Sequence, residues 1–398
     1  MLLPKRLTAV LAAAAIAAAA AATVGRAAWQ PVFAHDFEMV CTAAALMARG
    51  GNPYDAADLQ AAGGAASTPL TFPPLVIRLV KPACGRVPVL GIALAVAGAI
   101  IAVTWSLAGT NLLAIASGVT AGFAAYPWVL VTGNVAMFEG LAGAGAFWAL
   151  VAGRPAVFGV FIGLAAFMKS LMPLMFLVAA VVAWRRNAAK AVAAAVLTTM
   201  GLHAVDLAIG ASSSLDYWHA YRYDYARWAL ADLRFASEYN PSIFAFLPIA
   251  TDHVGLGRSA GLWMAAGVAA MFGVLWLRLW RLAGDSRSER TWLAILAIAV
   301  IVVCHPRFKP YSVFVLTPAL ALGLSRLRGG MQAGAVALAC LAPNVLLLTL
   351  LGVQTLPPVP VPLLFALQYA QWVCAALVLA FALRAPVYRR LVTVEETP

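Results

Sequence analysis

Stretches of about 20 consecutive apolar residues recur along this chain, each long enough to cross roughly 30 Å of hydrocarbon as a helix. This restricts the fold more than any other feature. In hydrocarbon every backbone N–H and C=O must find its partner inside the segment or around a closed barrel. The alternating ten-residue strands that a membrane barrel needs are absent from the sequence. Only 11% of the 398 residues are charged and 64% are hydrophobic, with a mean hydropathy of +0.90. The expectation is an all-α fold, a polytopic transmembrane helical bundle of about 11–13 membrane segments, some short or re-entrant. Nothing outside the apolar runs is long enough to stand alone, and no internal repeat is visible. Residues 1–398 therefore read as a single transmembrane domain, with extracytoplasmic loops near 30–72 and 211–258.

Charge sets the expected orientation. The net charge of +12 does not point to nucleic acid, because the basic residues are spread between apolar runs. Lys5 and Arg6 precede an Ala-rich run, Leu7 to Val24, which reads as a retained first helix rather than a cleaved signal. Threading the later runs from there puts 17 of the 27 Lys and Arg residues on the cytoplasmic side and eight outside. Arg78 and Lys169 fall within apolar runs. Both termini are then cytoplasmic, in a multi-pass protein of the cell (inner or plasma) membrane. On this threading the short run "FPPLVIRLV" (Phe72 to Val80) returns the chain to a cytoplasmic "KPACGR", and 111–133 must begin and end outside, as a re-entrant pair would. The five cysteines have no metal spacing and read as small core residues, so a disulfide framework is not expected.

Several polar residues stand out against this background. Lys169 lies in "FIGLAAFMKSLMPLMFLVAA", between two cytoplasmic charge clusters 30 residues apart, Pro155 to Trp184. Two short helices meeting at "KSLMP" fit that length, with Lys169 and Pro173 at an outer apex. A lysine part-way into a membrane is usually functional, although it can also snorkel without a role. "CHPRFKPYS" (Cys304 to Ser312) alternates His305, Arg307, Lys309 and Tyr311 with Pro306, Phe308 and Pro310, presenting cations where a helix cannot continue. This suits an anion site better than an ordinary solvated loop. "DYWHAYRYDYARWALADLRFASEYNPS" mixes aromatics with both charge signs, as an interfacial helix or a sugar-binding surface would. Asp36 follows the first run, with Glu38 pointing elsewhere on a helical turn. Such a carboxylate can take a proton from a hydroxyl, or simply cap a helix.

In order along the chain, Asp36, Gly51-Asn52-Pro53-Tyr54 and Phe72-Pro73-Pro74-Leu75 resemble the motifs of the GT-C membrane glycosyltransferases, and of glycosyltransferase family 87 in particular. That family comprises polyprenyl-phosphate-mannose-dependent mannosyltransferases. "MKSLMP" is similar to its lysine-proline helix break and "HPRFKPY" to its late Pro-Arg-x-Lys-x-Tyr segment. "TGNVAMFEG" (Thr132 to Gly140) matches its Gly-Gln-x-Asn segment only loosely, for the glutamine is missing. The resemblance implies transfer of a hexose, mannose in the family, from a polyprenyl-phosphate donor to a lipid or glycan hydroxyl on the extracytoplasmic face. Asp36 would be the general base of an inverting reaction. Lys169, Arg307 and Lys309 would bind the donor phosphate as it gains charge. Further contacts to donor or acceptor would come from His305, Tyr54, Tyr311, Asn134, Glu238 and Asn240. The implied partners are the lipid-linked donor, the acceptor and membrane lipids, without nucleic acid, metal or cofactor. No phosphate-cradling G-x-x-x-x-G-K-[ST] loop is present. A secondary transporter or a flippase of lipid-linked sugars also uses broken helices and buried cations, but builds them into paired halves, and none is visible. A ligase or polymerase of surface polysaccharide is a further alternative.

Overall fold

A computed structural model describes residues 35–64, 70, 72–108, 135–168, 172–222, 243–282, 286–304 and 317–326. Every regular element among the described residues is helical, as the apolar runs predict. The later apolar runs, near 87–105, 135–151, 191–210, 261–280 and 292–304 in the sequence, each appear as a helix with bounds shifted by up to five positions. The first apolar run, residues 111–133 and the last two runs lie outside the described residues, and with them the re-entrant pair.

The N-terminal part is a layer of short helices. α1 (His35–Ala48) turns Phe37, Val40, Cys41 and Ala44 to one face, the spacing that puts side chains on a single helical stripe. It ends at Gly50, whose φ of 81° is the left-handed conformation that a side chain resists. The amides of Gly50 and Gly51 then close onto Met47 O and Leu46 O at 3.1 Å each. α2 (Ala56–Ala61) and α3 (Pro74–Val80) follow. Seven residues of helix rise only about 10 Å, so α3 cannot cross a bilayer.

What comes next corrects two sequence expectations. A disulfide joins Cys41 of α1 to Cys84, just beyond α3, with Cα atoms 5.7 Å apart. The "KPACGR" segment is therefore on the same side as α1, and the short run does not carry it across. The cysteines are 43 residues apart in sequence, and no spacing rule pairs residues brought together by a helical layer.

Below the layer stand the longer helices. α4 (Arg86–Ala108) contributes Ala93, Val96, Ala97 and Ile100 to the buried cluster that also holds Phe37 and Ile77. α5 (Ala136–Ala152) starts in that same cluster with Met137 and ends in a second one with Phe147 and Leu150. Gly153, at φ 69°, reverses the chain, and α6 (Pro155–Met168) runs back from Phe158 in the second cluster to Phe167 in the first. A 3-10 turn (Met172–Phe176) containing Pro173 and then α7 (Leu177–Trp184) bring the chain back, with Trp184 edge-on to Phe158 at 5.4 Å. The split into two short helices around "KSLMP" is thus present. Lys169 itself lies outside the described residues.

α8 (Ala188–Ile209) returns beside α6. Gly159 and Gly163 of α6 meet Ala191 and Ala195 of α8, two small-xxx-small stripes that let the backbones approach. A Cβ on Gly163 would sit 2.6 Å from Ala195 O. Thr199 crosses the seam, its Oγ1 3.2 Å from Gly163 O. The other side of α8 exposes Val196, Leu197 and Met200, and α11 (Arg258–Leu282) exposes Trp263, Met271 and Val274. Water would not tolerate such long apolar faces; hydrocarbon does. α9 (Ala211–Ala220) turns off the end of α8, and α10 (Ile243–His253) pairs with the start of α11. α12 (Arg287–Cys304) begins beside the end of α5, where Arg287 Nη2 donates to Val151 O at 3.3 Å. α13 (Thr317–Arg326) adds Ala319 and Leu322 to the second cluster.

Candidate active site

Three of the motif segments, Asp36, Gly51 to Tyr54 and Phe72 to Leu75, lie in the α1–α3 layer. Asp36 stands in the first turn of α1, half-buried, with Phe37 buried behind it and Glu38 exposed. After α1, Asn52 Oδ1 accepts the Tyr54 N–H at 2.9 Å, and Asp55 Oδ1 caps α2 through Ala57 N and Asp58 N at 2.8 and 3.1 Å. Each of these local bonds offers the backbone a turn in place of a longer helix. The Gly-Asn-Pro-Tyr-Asp stretch is therefore a connector that folds α2 back and drives Tyr54 inward. Tyr54 Oη donates to Phe72 O at 2.7 Å, so the first two motif segments hold one another. Burial pushes the Tyr54 hydroxyl well above its ordinary pKa, and it remains a donor.

A cluster of which the sequence reading noted only Arg78, without a role, lies beside Tyr54. Its ring is 5.7 Å from Tyr217 of α9, which stacks on His203 of α8 at 6.3 Å. His203 is also 4.9 Å from both Phe167 and Trp218. Arg78 reaches from α3 to Ser213 Oγ at 3.4 Å. Asp206, 1% exposed, accepts the Leu75 N–H at 2.6 Å. Arg78 Nη1 and His203 Nδ1 are buried with no hydrogen-bond partner among the described residues. A signal for these residues existed: Arg78, His203 and Asp206 are ionisable groups inside apolar runs, which are seldom idle.

Of the other expected site residues, Asn134, Lys169, Glu238, Asn240, His305, Arg307, Lys309 and Tyr311 lie outside the described residues. Two of the elements leading to them are described. α6 ends at Met168, one residue before Lys169, with Phe167 against His203. α12 ends at Cys304, one residue before His305. No group of three or more His, Cys, Asp or Glu residues with metal-binding geometry occurs among the described residues.

Residues 67–306 match the profile of glycosyltransferase family 87. The chain belongs to that family. The matched stretch runs from just before "FPPL" to "HP", and so contains α3, the small-residue seam, the Arg78–Asp206 cluster and α12. This family-87 protein is a membrane glycosyltransferase. The fold is also similar to that of ArnT from Cupriavidus metallidurans bound to undecaprenyl phosphate, at 14% identity and a TM-score of 0.47, covering 94% of this chain and 76% of that one. No match was found among the curated proteins.

Proposed function

We propose that this protein transfers mannose from a polyprenyl-phosphate donor to a hydroxyl of a lipid or glycan acceptor on the extracytoplasmic face of the membrane. The observation that carries the reading is the family match over residues 67–306, supported by the layer in which Tyr54 holds Phe72 and α1 carries Asp36. Asp36 is half-buried at the start of α1, open enough for a substrate hydroxyl to reach it. In the proposed step Asp36 takes the acceptor proton as the oxygen attacks the anomeric carbon. The bond from that carbon to the phosphate oxygen breaks, and the polyprenyl phosphate leaves with the electron pair. Attack from the face opposite the leaving group inverts the configuration. Lys169, Arg307 and Lys309 stabilise the charge that gathers on the phosphate, doing the work otherwise left to a metal. His305, Tyr311, Asn134, Glu238 and Asn240 orient donor and acceptor. Tyr54 contributes its ring and oxygen lone pairs, since its proton is committed to Phe72 O.

The test is product analysis. Membranes containing the protein are supplied with labelled polyprenyl phosphate mannose, then with the glucose and galactose counterparts. A mannose-labelled lipid or glycan, formed with inversion, is the expected result. Transfer from the other sugars alone would correct the sugar, and no transfer from any of them would defeat the reading.

A further inference from the structure

A carboxyl group buried in an apolar helix is costly unless its oxygens are used. Asp206 is such a group, 1% exposed between the exposed Val205 and Leu207 of α8. Its Oδ1 accepts the backbone N–H of Leu75 at 2.6 Å, a contact spanning 131 residues of sequence.

The choice of Leu75 follows from the two prolines before it. The first N–H groups of any helix lack an acceptor within it. Pro73 and Pro74 have no N–H to leave unsatisfied. The amides of Val76 and Ile77 already return to Pro73 O, at 3.0 and 3.2 Å. Leu75 is thus the first-turn donor of α3 that needs a partner from elsewhere, and Asp206 supplies it. On the preceding side, Tyr54 Oη satisfies Phe72 O. The Phe-Pro-Pro-Leu elbow is gripped at both ends, once from its own layer and once from a membrane helix. Arg78, one turn along α3, brings a positive charge near the same carboxyl.

The grip extends to the reacting end of the layer. Val76 and Ile77 of α3 pack in one cluster with Phe37 and Val40 of α1. Phe37 adjoins Asp36. We propose that Asp206 is a positioning residue, a helix cap supplied by α8 that fixes the register of the α1–α3 layer and so holds Asp36 in place. The inference rests on Asp36 being the base.

The experiment compares Asp206→Asn, Asp206→Ala and Asp36→Asn in nanodiscs, with donor concentration varied. Asn keeps an oxygen that accepts the Leu75 N–H, so Asp206→Asn should hold kcat within roughly fivefold of the wild type. Asp206→Ala should lose about 10²-fold in kcat, as a misplacement near 1 Å does, with donor KM within about twofold. The Cys41–Cys84 disulfide, assayed by thiol alkylation with and without reductant, reports whether the layer has folded. Wild-type kcat in a folded Asp206→Ala protein would overturn the proposal, and so would equal losses in Asp206→Asn and Asp206→Ala. Wild-type turnover in Asp36→Asn would instead remove the base, a different failure. Hydrogen exchange on the wild-type protein does not depend on any variant folding. Slow exchange of the Leu75 amide is expected, and exchange at the rate of an open loop would refute the cap.

Discussion

Asp36 and Tyr54 sit 18 residues apart in the sequence and in the same small layer, and the proposed function gives them different work. Asp36 is the candidate base, so Asp36→Asn, which keeps shape but not basicity, should lower transfer by about 10²- to 10⁴-fold at unchanged membrane abundance. Initial rates and donor binding measured side by side check it; turnover equal to the wild type would send the search to Glu38 or Asp55. Tyr54→Phe deletes one hydroxyl and leaves Phe72 O without its donor. A loss of about 1 kcal/mol in stability is expected, read from thermal unfolding in detergent, with transfer reduced less than in Asp36→Asn. Arg307→Ala should lower kcat and kcat/KM together, more than Lys309→Ala does, because a guanidinium grips two phosphate oxygens at once. Unaltered kcat and donor KM in both would remove the anion site. Asp36 and Tyr54 were legible because they stand in recognisable local patterns. Asp206 and Arg78 were visible as ionisable residues inside apolar runs, but not what they hold, since Asp206 caps α3 and Arg78 reaches Ser213 of α9.

At the scale of elements, the α6–α8 seam is set by side chains that are nearly absent. Gly163 and Ala195 allow backbones to touch, and Thr199 bridges them. Gly163→Leu should therefore force the helices apart, costing about 1–3 kcal/mol as overpacked interiors do. Gly201, on α8, has open space where a Cβ would go, and Gly201→Leu is the matched control. Equal melting temperatures for the two variants would show that the seam does not bear on stability. The covalent tie of α1 to the α3 exit is a second element-scale feature. Removing it with Cys41→Ser should cost about 2–4 kcal/mol, because the unfolded chain regains the freedom of a closed loop. Retention of the wild-type melting temperature would contradict this. Helix positions were readable from apolar runs, and the break around Pro173 from run length. The partner of each helix was not, because small residues look alike wherever they occur in an apolar run.

For the molecule as a whole, the disulfide revises the expected path through the membrane. Placing Lys81 and Arg86 on the α1 side changes the expected division of basic residues from 17 cytoplasmic and eight outside to 15 and ten. The bias keeps its sign. Disulfides persist in oxidising compartments, which accords with an extracytoplasmic layer. Single cysteines at Asp55 and Lys81, in a background where the native cysteines outside the disulfide are replaced, should therefore both react with an impermeant thiol reagent in intact cells. One at Ser286 should not. Labelling at Asp55 without Lys81 would restore the original threading, and labelling at Ser286 would invert the orientation. The sequence by itself determined the helical class, the membrane as solvent and the family. These depend on composition, run length and contiguous motifs, all local along the chain. The tertiary structure alone decided that Cys41 meets Cys84, that α3 stays on one side, and that Asp206 caps a helix 131 residues away. Those outcomes depend on how distant helices pack, and packing is a property of surfaces that no single segment carries.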